Sequence, residues 1–434
     1  MTRTLANAMI HTMPARSPTS PTSSGTLLPA GAPRLPVGRP LRVALAIVGA
    51  LAPGACAIEN GRPGPSGRAD VSDSAGVRIV VNRIPERGLP AYAAVAETPS
   101  LELRDPGVEG EPPFSDVIGV RSTREGTIAV ADAGLGRVSF HTATGEPLGV
   151  GRLRQGRQRY RALTRLGVGE EGFWTYDALA DRLDGFDGVD VERTAQGPEA
   201  GRVVGRFGDG SFLLVPDWTL ALHRASPTGG VRRDTATWVR WWPDGGDTAT
   251  LGRFPFNEVL VVETSSEEAF GLPPFGRGTS LAVGPGRFYV GEQETFEIRG
   301  HDPDGTLREI IRLEGLDQTL TPGLVEAARP RPDSGGPPLP AWTEAFWASV
   351  PERRPAYTRF VLDALGNLWV AEHVATAATP RNWIVFDAAG TVRGLVEMPP
   401  GFAPSEIGAD YVLGVARAGG RGRAVRRYAL VRGG

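Results

Sequence analysis

Three consecutive stretches, FSDVIGV (114–120), GTIAVAD (126–132) and RVSFH (137–141), decide the fold of this chain. Each is a short apolar run, and turns containing glycine separate the runs, as between consecutive antiparallel β-strands. The same order recurs in YTRFVLD (357–363), GNLWVAE (366–372) and WIVFD (383–387), and again in SLAV (280–283), RFYVGE (287–292) and FEIRGHD (296–302). Self-similarity of this kind indicates a repeat architecture.

Weaker copies begin near Tyr160, Arg202 and Ile407, which brings the number of units to six. A fourth strand follows the glycine turn, as in LREIIRL (307–313), but the last unit ends after its third strand. We expect LELR (101–104) to supply the missing strand, because closing the ring protects strand edges. The predicted fold class is therefore all-β, a six-bladed β-propeller of four-stranded antiparallel blades.

Residues 315–356 break the repeat between blades 4 and 5. Two short helical patterns flank a Pro- and Gly-rich loop, so we predict a partly helical insertion. In the second pattern, Trp342, Phe346 and Trp347 form an apolar stripe at helical spacing. This stripe either packs on the propeller or forms a lid near the mouth of its central channel.

Composition excludes several classes of function. All 47 basic residues are arginine, so no lysine is available as a Schiff-base nucleophile or in a phosphate-binding loop. Five of the arginines and none of the 49 acidic residues lie in residues 1–55, so the remainder carries a net negative charge. This balance argues against a general affinity for nucleic acid.

The N-terminal region has the pattern of an export signal. Two arginines, Arg39 and Arg42, precede the apolar run VALAIVGALA (43–52), and small residues precede Cys56. A basic segment, a short apolar run and a small-residue cleavage site are typical of a secretory signal peptide. Cys56 is the sole cysteine, placed where a bacterial lipoprotein is cleaved and acylated, although Pro53 stands where Leu or Val is usual.

We therefore predict a leader and signal peptide over 1–56, a flexible tether over 57–75 and the propeller over 76–434, including the insertion 315–356. The expected location is the cell envelope, periplasmic or at the surface, with membrane contact only through a lipid on Cys56. The alternative is a plainly secreted protein.

From about Gly76, the chain resembles the bacterial six-bladed β-propeller lipoproteins. The resemblance rests on the opening SAGVRIVVN (74–82), the close IGADYVLG (407–414) and units similar to NHL-type repeats. It implies the propeller fold, but not a ligand, because propellers host many unrelated activities.

Acidic residues end the second strands of four units: Asp132, Asp177, Glu292 and Glu372. We interpret them as acceptors for backbone N–H groups in their own turns; the alternative is a cation-binding rim. Two histidines, His141 and His301, occupy equivalent positions where another blade has Phe386, which indicates packing. His373 follows Glu372 in a loop that should open onto the binding face, so it is a candidate site residue.

Inner strands should line the central channel. Counting two residues past the aromatic that opens each strand gives Asp116, Ala162 and Arg359, and Glu406 takes a similar place in the last blade. These mixed charges suit salt bridges, or a clamp on an anionic group by Arg359, better than a cation cage. No catalytic residue, metal site or cofactor is predicted.

The predicted function is that of an exported envelope protein that binds, or acts as a scaffold for, an unidentified peptide, glycan or protein. The alternative is a hydrolase or lyase of the NHL or gluconolactonase kind, with its site at the channel mouth. In either case His373 and Arg359 should lie near one another at the mouth, beneath the insertion. Trp342, Trp347 and Trp383 either add aromatic surface there or fill the core.

Overall fold

The structure is a computed structural model that describes residues 69–107, 109–110, 112–153, 159–170, 172–198, 201–216, 230–263, 267–329, 342–374, 380–418 and 422–432, together with the short strand β1 (His11–Pro14). Cys56 and its cleavage site lie outside the described residues. Among the residues described, no helix has the length and apolar character needed to cross a bilayer.

Six four-stranded antiparallel sheets form the blades of a propeller, which confirms the predicted fold class and the fold implied by the resemblance. Blade 1 consists of β6 (Val117–Ser122), β7 (Ile128–Asp132), β8 (Arg137–His141) and β9 (Pro147–Val150). Blade 2 consists of β10 (Leu163–Gly169), β11 (Gly172–Asp177), β12 (Arg182–Asp187) and β13 (Asp190–Gln196). Blade 3 consists of β14 (Arg202–Arg206), β15 (Phe212–Val215), β17 (Thr235–Trp241) and β18 (Thr248–Pro255).

The second half of the ring repeats this plan. Blade 4 consists of β21 (Ser280–Val283), β22 (Phe288–Gly291), β23 (Glu297–His301) and β24 (Leu307–Glu314). Blade 5 consists of β25 (Arg359–Leu362), β26 (Leu368–Ala371), β27 (Arg381–Phe386) and β28 (Val392–Met398). Blade 6 begins with β29 (Phe402–Ile407), β30 (Tyr411–Arg417) and β31 (Arg423–Arg432).

The first strand of each blade lies innermost. Strands β6, β10, β14, β21, β25 and β29 contact one another in this order, and β29 contacts β6. The six strands therefore surround a central channel, and blades 2 and 5 lie on opposite sides of it.

The N-terminal segment runs along the outer rim before entering blade 1. Strands β2 (Asp70–Ser74) and β3 (Val77–Arg83) form a hairpin on the outer edge of blade 4, with β3 parallel to β24. Strands β4 (Ala93–Val95) and β5 (Leu101–Leu103) then pair with β31 and complete blade 6. The closing role predicted for residues 101–104 is confirmed, and β4 adds a second piece to the closing strand.

The start of the paired structure differs from the predicted boundary. Strand β2 falls within residues 57–75, which were predicted to be a flexible tether. All five of its side chains are exposed, so it lacks the alternating apolar pattern from which a strand is recognised. The ordered pairing therefore begins at Asp70 rather than near Gly76.

Two kinds of connection leave the same face of the ring, because consecutive strands of a blade alternate in direction. One kind joins the second strand of a blade to its third strand, and the other joins the fourth strand to the first strand of the next blade. We call the face that carries both kinds the upper face. The connections of blade 3 supply an accessory sheet of β16 (Gly230–Arg232), β19 (Val259–Glu263) and β20 (Glu267–Gly271), and β1 pairs with β20.

The insertion between blades 4 and 5 also belongs to the upper face and contains two short helices, as predicted. These are α1 (Pro322–Ala328), whose first turn is capped by the Thr321 side chain, and α2 (Trp342–Ala348). Helix α2 contacts β19 of the accessory sheet. The accessory sheet and the two helices together form a cap on the upper face.

Buried carboxylates fix the upper ends of two inner strands. Asp132 accepts hydrogen bonds from the backbone N–H groups of Ser115 (2.7 Å) and Asp116 (3.1 Å). Asp177 does the same for Arg161 (2.9 Å) and Ala162 (3.1 Å). Within their own turns, Asp132 accepts the Leu135 N–H at 3.0 Å and Asp177 accepts those of Leu179 and Ala180, both at 3.2 Å, which confirms the structural interpretation of these two acids.

The remaining acids of the set behave differently. Glu292 accepts a hydrogen bond from Arg299 (2.9 Å), and Glu372 accepts one from the Asn382 amide (3.1 Å). In blade 4 the buried Gln293 fixes the inner strand instead, because its Oε1 accepts the Gly278 N–H at 2.6 Å.

Candidate functional site

Three arginines from three different blades project into the central channel. Arg121 lies on β6, Arg165 on β10 and Arg359 on β25. The charges of Arg202 on β14, Arg359 and Arg121 act on Arg165, in that order of size. Because blades 2 and 5 lie on opposite sides of the ring, Arg165 and Arg359 can approach one another only across the channel. We call Arg121, Arg165 and Arg359 the channel arginines.

The channel arginines occupy an enclosed but wet environment. The Arg165 and Arg359 side chains are accessible to water, yet protein surrounds them on all sides, as expected inside a water-filled channel. This enclosure, followed by repulsion from neighbouring arginines, lowers the pKa of Arg165 to about 9 and that of Arg359 to about 10. Both pKa values stay well above 7, so both side chains are cationic at neutral pH.

Glu406 is the carboxylate that faces these cations. Burial lowers the pKa of Arg121, and the nearby charge of Glu406 opposes that shift. For Arg165 and Arg359, every described charge that shifts the pKa belongs to another arginine. The described part of the channel therefore has an excess of positive charge around Arg165 and Arg359.

Glu406 also joins the last blade to the first. Its carboxylate accepts the Ser122 N–H at 2.9 Å and the hydroxyl groups of Ser122 and Tyr411. Burial, together with the charge of Glu406, raises the pKa of Tyr411 to about 12. Arg121 donates to the backbone oxygen of Ser405, which adds a second link between β6 and β29.

His373 lies at the upper mouth, in the loop after β26. Arg354 Nη1 donates to the His373 carbonyl oxygen at 2.9 Å. Burial first, and then the charges of Arg354 and Arg381, lower the pKa of His373 to about 4, so its imidazole is neutral at physiological pH. The charge of Arg381 also lowers the pKa of Arg359. Arg381 is thus a common neighbour of the two predicted site residues His373 and Arg359.

An aromatic group covers His373 from the cap side. The centroid of the Phe275 ring lies 5.2 Å from that of the imidazole and 6.4 Å from that of Trp347 on α2. Trp347 is partly exposed, so it contributes aromatic surface at the mouth. Trp383 is buried in the core between blades 5 and 6, and the Trp342 side chain lies outside what the structure describes.

Other predicted site residues lie elsewhere. Asp116 is exposed at the upper end of β6, whereas Glu406 lies near the opposite end of its own inner strand, so the structure does not bring the two together. His141 and His301 pack in the core, as expected: His141 lies 3.1 Å from Ser139 Oγ, and His301 stacks on Phe288 with centroids 5.0 Å apart.

Sequence reasoning missed Arg121 and Arg165. Counting from the aromatic that opens each strand placed Asp116 and Ala162 in the channel. Both strands contain a register shift, between Val117 and Gly119 in β6 and between Leu163 and Arg165 in β10. A β-bulge re-aims the side chains that follow it, so fixed counting fails beyond that point.

The described residues contain no cluster of three or more His, Cys, Asp or Glu side chains that could hold a metal ion. The candidate site consists of guanidinium groups in the channel and aromatic rings near His373.

No protein-family model matches the chain, and no curated protein sequence matches it. It is similar in structure to a candidate exported protein of Bacteroides fragilis, with 8% identity, a TM-score of 0.46, and coverage of 82% of this chain and 100% of the other. A member of the DUF4221 family from Bacteroides vulgatus gives 8% identity, a TM-score of 0.47, and coverage of 79% and 99%.

Virginiamycin B lyase from Staphylococcus aureus gives 11% identity, a TM-score of 0.40, and coverage of 76% of this chain and 98% of the lyase. Similarity at this level does not identify what a propeller binds or transforms.

Proposed function

We propose that this chain is an exported envelope protein that binds an anionic ligand in the central channel of its propeller. The channel arginines hold the anionic group, and the ligand enters from the upper face, beneath the cap. The observation that carries the proposal is the convergence of Arg165 and Arg359 from opposite blades.

The chemistry of guanidinium groups supports this role. Arginine presents a planar set of N–H donors that matches the oxygens of carboxylate and phosphate groups, often through two parallel hydrogen bonds. Like charges that are enclosed by protein repel one another more strongly than in bulk water. An anion placed between Arg165 and Arg359 replaces that repulsion with attraction.

Export and anchoring rest on the sequence before Cys56. Acylation of that cysteine would tie the propeller to a membrane through residues 57–68, leaving the channel accessible to ligands of the envelope. Replacing Cys56 by Ser should release the protein from membranes. Unchanged membrane association of Cys56→Ser would contradict lipid anchoring while leaving the binding role intact.

A hydrolase or lyase is the alternative function. General bases work best when their pKa lies near the working pH, whereas burial and two arginines hold the pKa of His373 near 4. A neutral, covered imidazole suits a binding surface better than a proton acceptor at neutral pH. The low pKa of His373 therefore favours binding over general-base catalysis.

The binding role is tested by calorimetric titration of inorganic phosphate into the purified full chain. We expect Arg165→Gln and Arg359→Gln each to weaken binding by about tenfold or more, the range for one charge-assisted hydrogen bond. The matched control is Arg87→Gln, an exposed arginine of the N-terminal segment, which should bind phosphate like the wild type. Equal affinity in all four proteins would refute the proposed function.

A further inference from the structure

Phe275 occupies a backbone conformation that large side chains rarely adopt. It follows Pro274 in a turn in which the Gly276 N–H donates to the Pro273 carbonyl oxygen at 2.8 Å. Its φ of 56° lies in the left-handed region, which a type II turn requires at its third residue and which glycine normally supplies. Here the glycine comes one residue later, so the turn is strained.

The strained turn places an aromatic ring at the channel mouth. The Phe275 ring packs on His373 and meets the Trp347 ring edge-on, at an interplanar angle of 84°. Residues held in unfavourable backbone conformations cluster at ligand sites, where the surrounding structure enforces them. We call Phe275, His373 and Trp347 the aromatic shelf.

The aromatic shelf is continuous with the channel arginines. Arg381 acts on both His373 and Arg359, so it connects the shelf to the cationic channel. Arg354, bonded to the His373 carbonyl oxygen, adds a second guanidinium beside the shelf. The partly exposed rings of Trp347 and His373, packed against the buried Phe275, therefore lie beside positive charge beneath the cap.

From this juxtaposition we infer that the ligand carries an aromatic ring attached to its anionic group, and that the aromatic shelf selects for that ring. The inference rests on the proposed function and deepens it by naming the ligand class, an aryl acid. Neutral imidazole and indole faces accept a stacked or edge-on ring, and neighbouring guanidinium groups favour an aromatic face over an aliphatic chain. Phe275 and Trp347 are then specificity-determining residues.

The test compares two probes that share one anionic group, methyl phosphate and phenyl phosphate, by calorimetric titration into the full chain. We expect phenyl phosphate to bind about fivefold more tightly to the wild type, the range for one aromatic contact. In Phe275→Gly this preference should fall to near unity, because the ring that phenyl phosphate would contact is absent. The variant removes the ring but places glycine where the turn favours it, so it should fold. Leu272→Ala, at an exposed position of the same loop, is the matched control and should keep the preference.

The outcomes separate the two proposals. Equal binding of both probes to the wild type, or a preference that survives in Phe275→Gly, overturns the aromatic shelf while the anion site stands. Binding of neither probe to the wild type, or binding of both that Arg359→Gln leaves unchanged, overturns the proposed function itself.

Discussion

Arg165 of blade 2 and Arg359 of blade 5 lie on opposite sides of the central channel, and the pKa of Arg165 is lowered to about 9, first by burial and then by the charges of Arg202, Arg359 and Arg121. Two cations held in this way destabilise the empty protein and stabilise any complex in which an anion lies between them. Residues kept for binding commonly reduce stability in the absence of ligand.

Removing one channel arginine should stabilise the empty protein. In phosphate-free buffer we expect Arg359→Gln to raise the unfolding midpoint by about 1–3 °C, since repulsion in a wet channel is worth below about 1 kcal/mol. Differential scanning calorimetry measures this, with Arg87→Gln expected to match the wild type. A lower midpoint for Arg359→Gln would show that the arginine serves the fold rather than a ligand.

Removing the carboxylate of Glu406 should strengthen anion binding, whereas removing a channel arginine should weaken it. Glu406→Gln deletes the negative charge beside Arg121, so phosphate should bind about two- to fivefold more tightly, the effect of one screened charge at short range. The same variant should unfold at lower urea concentration, because Glu406 accepts hydrogen bonds from Ser122 and Tyr411 across the blade 6–blade 1 junction. Weaker phosphate binding in Glu406→Gln would contradict the electrostatic account of the channel.

The fold was accessible from the sequence because each blade repeats the same apolar strands and glycine turns, as in 114–145. Strand β2 could not be predicted, because its side chains are all exposed. The accessory sheet could not be predicted either, because it interrupts the repeat with short strands outside the blades. Arg359 and His373 could be proposed as site residues from the sequence because one opens an inner strand and the other follows an acid in a long loop. Arg121 and Arg165 could not be predicted, because they lie beyond register shifts in their strands. Phe275 could not be predicted, because its unusual backbone conformation has no signature in the sequence.

Closure of the ring depends on buried leucines of the N-terminal segment. Leu103 on β5 is buried and pairs with Val425 of β31, so Leu103→Ala should lower the free energy of unfolding by about 2–4 kcal/mol. The matched control is Leu148→Ala, because Leu148 is 50% exposed and should change stability by less than about 0.5 kcal/mol. Urea denaturation measures the free energy of unfolding of both variants. If Leu103→Ala lowers it as little as Leu148→Ala does, β5 does not hold the ring together.

His373 should make stability depend on pH. Its folded pKa of about 4 lies below the ordinary histidine value of 6.5, so the unfolded chain binds the proton more tightly. The contribution of neutral His373 is therefore fully present above pH 6.5 and is lost as pH falls towards 4. We expect the unfolding midpoint of the wild type to drop more over this range than that of His373→Gln. Parallel pH profiles for the two proteins would contradict the burial of a neutral imidazole beside Arg354 and Arg381.

The most direct test of the central claim is to locate a bound anion by anomalous diffraction. Selenate has the charge and geometry of sulfate, and selenium gives a strong anomalous signal, so crystals of the full chain soaked in selenate reveal where the anion sits. We expect an anomalous selenium peak in the central channel, about 4 Å from guanidinium nitrogens of Arg165 and Arg359, with the selenate oxygens within about 3 Å of those nitrogens, the distance of a charge-assisted hydrogen bond. Selenate peaks confined to the outer surface, with none in the central channel, would contradict the central claim.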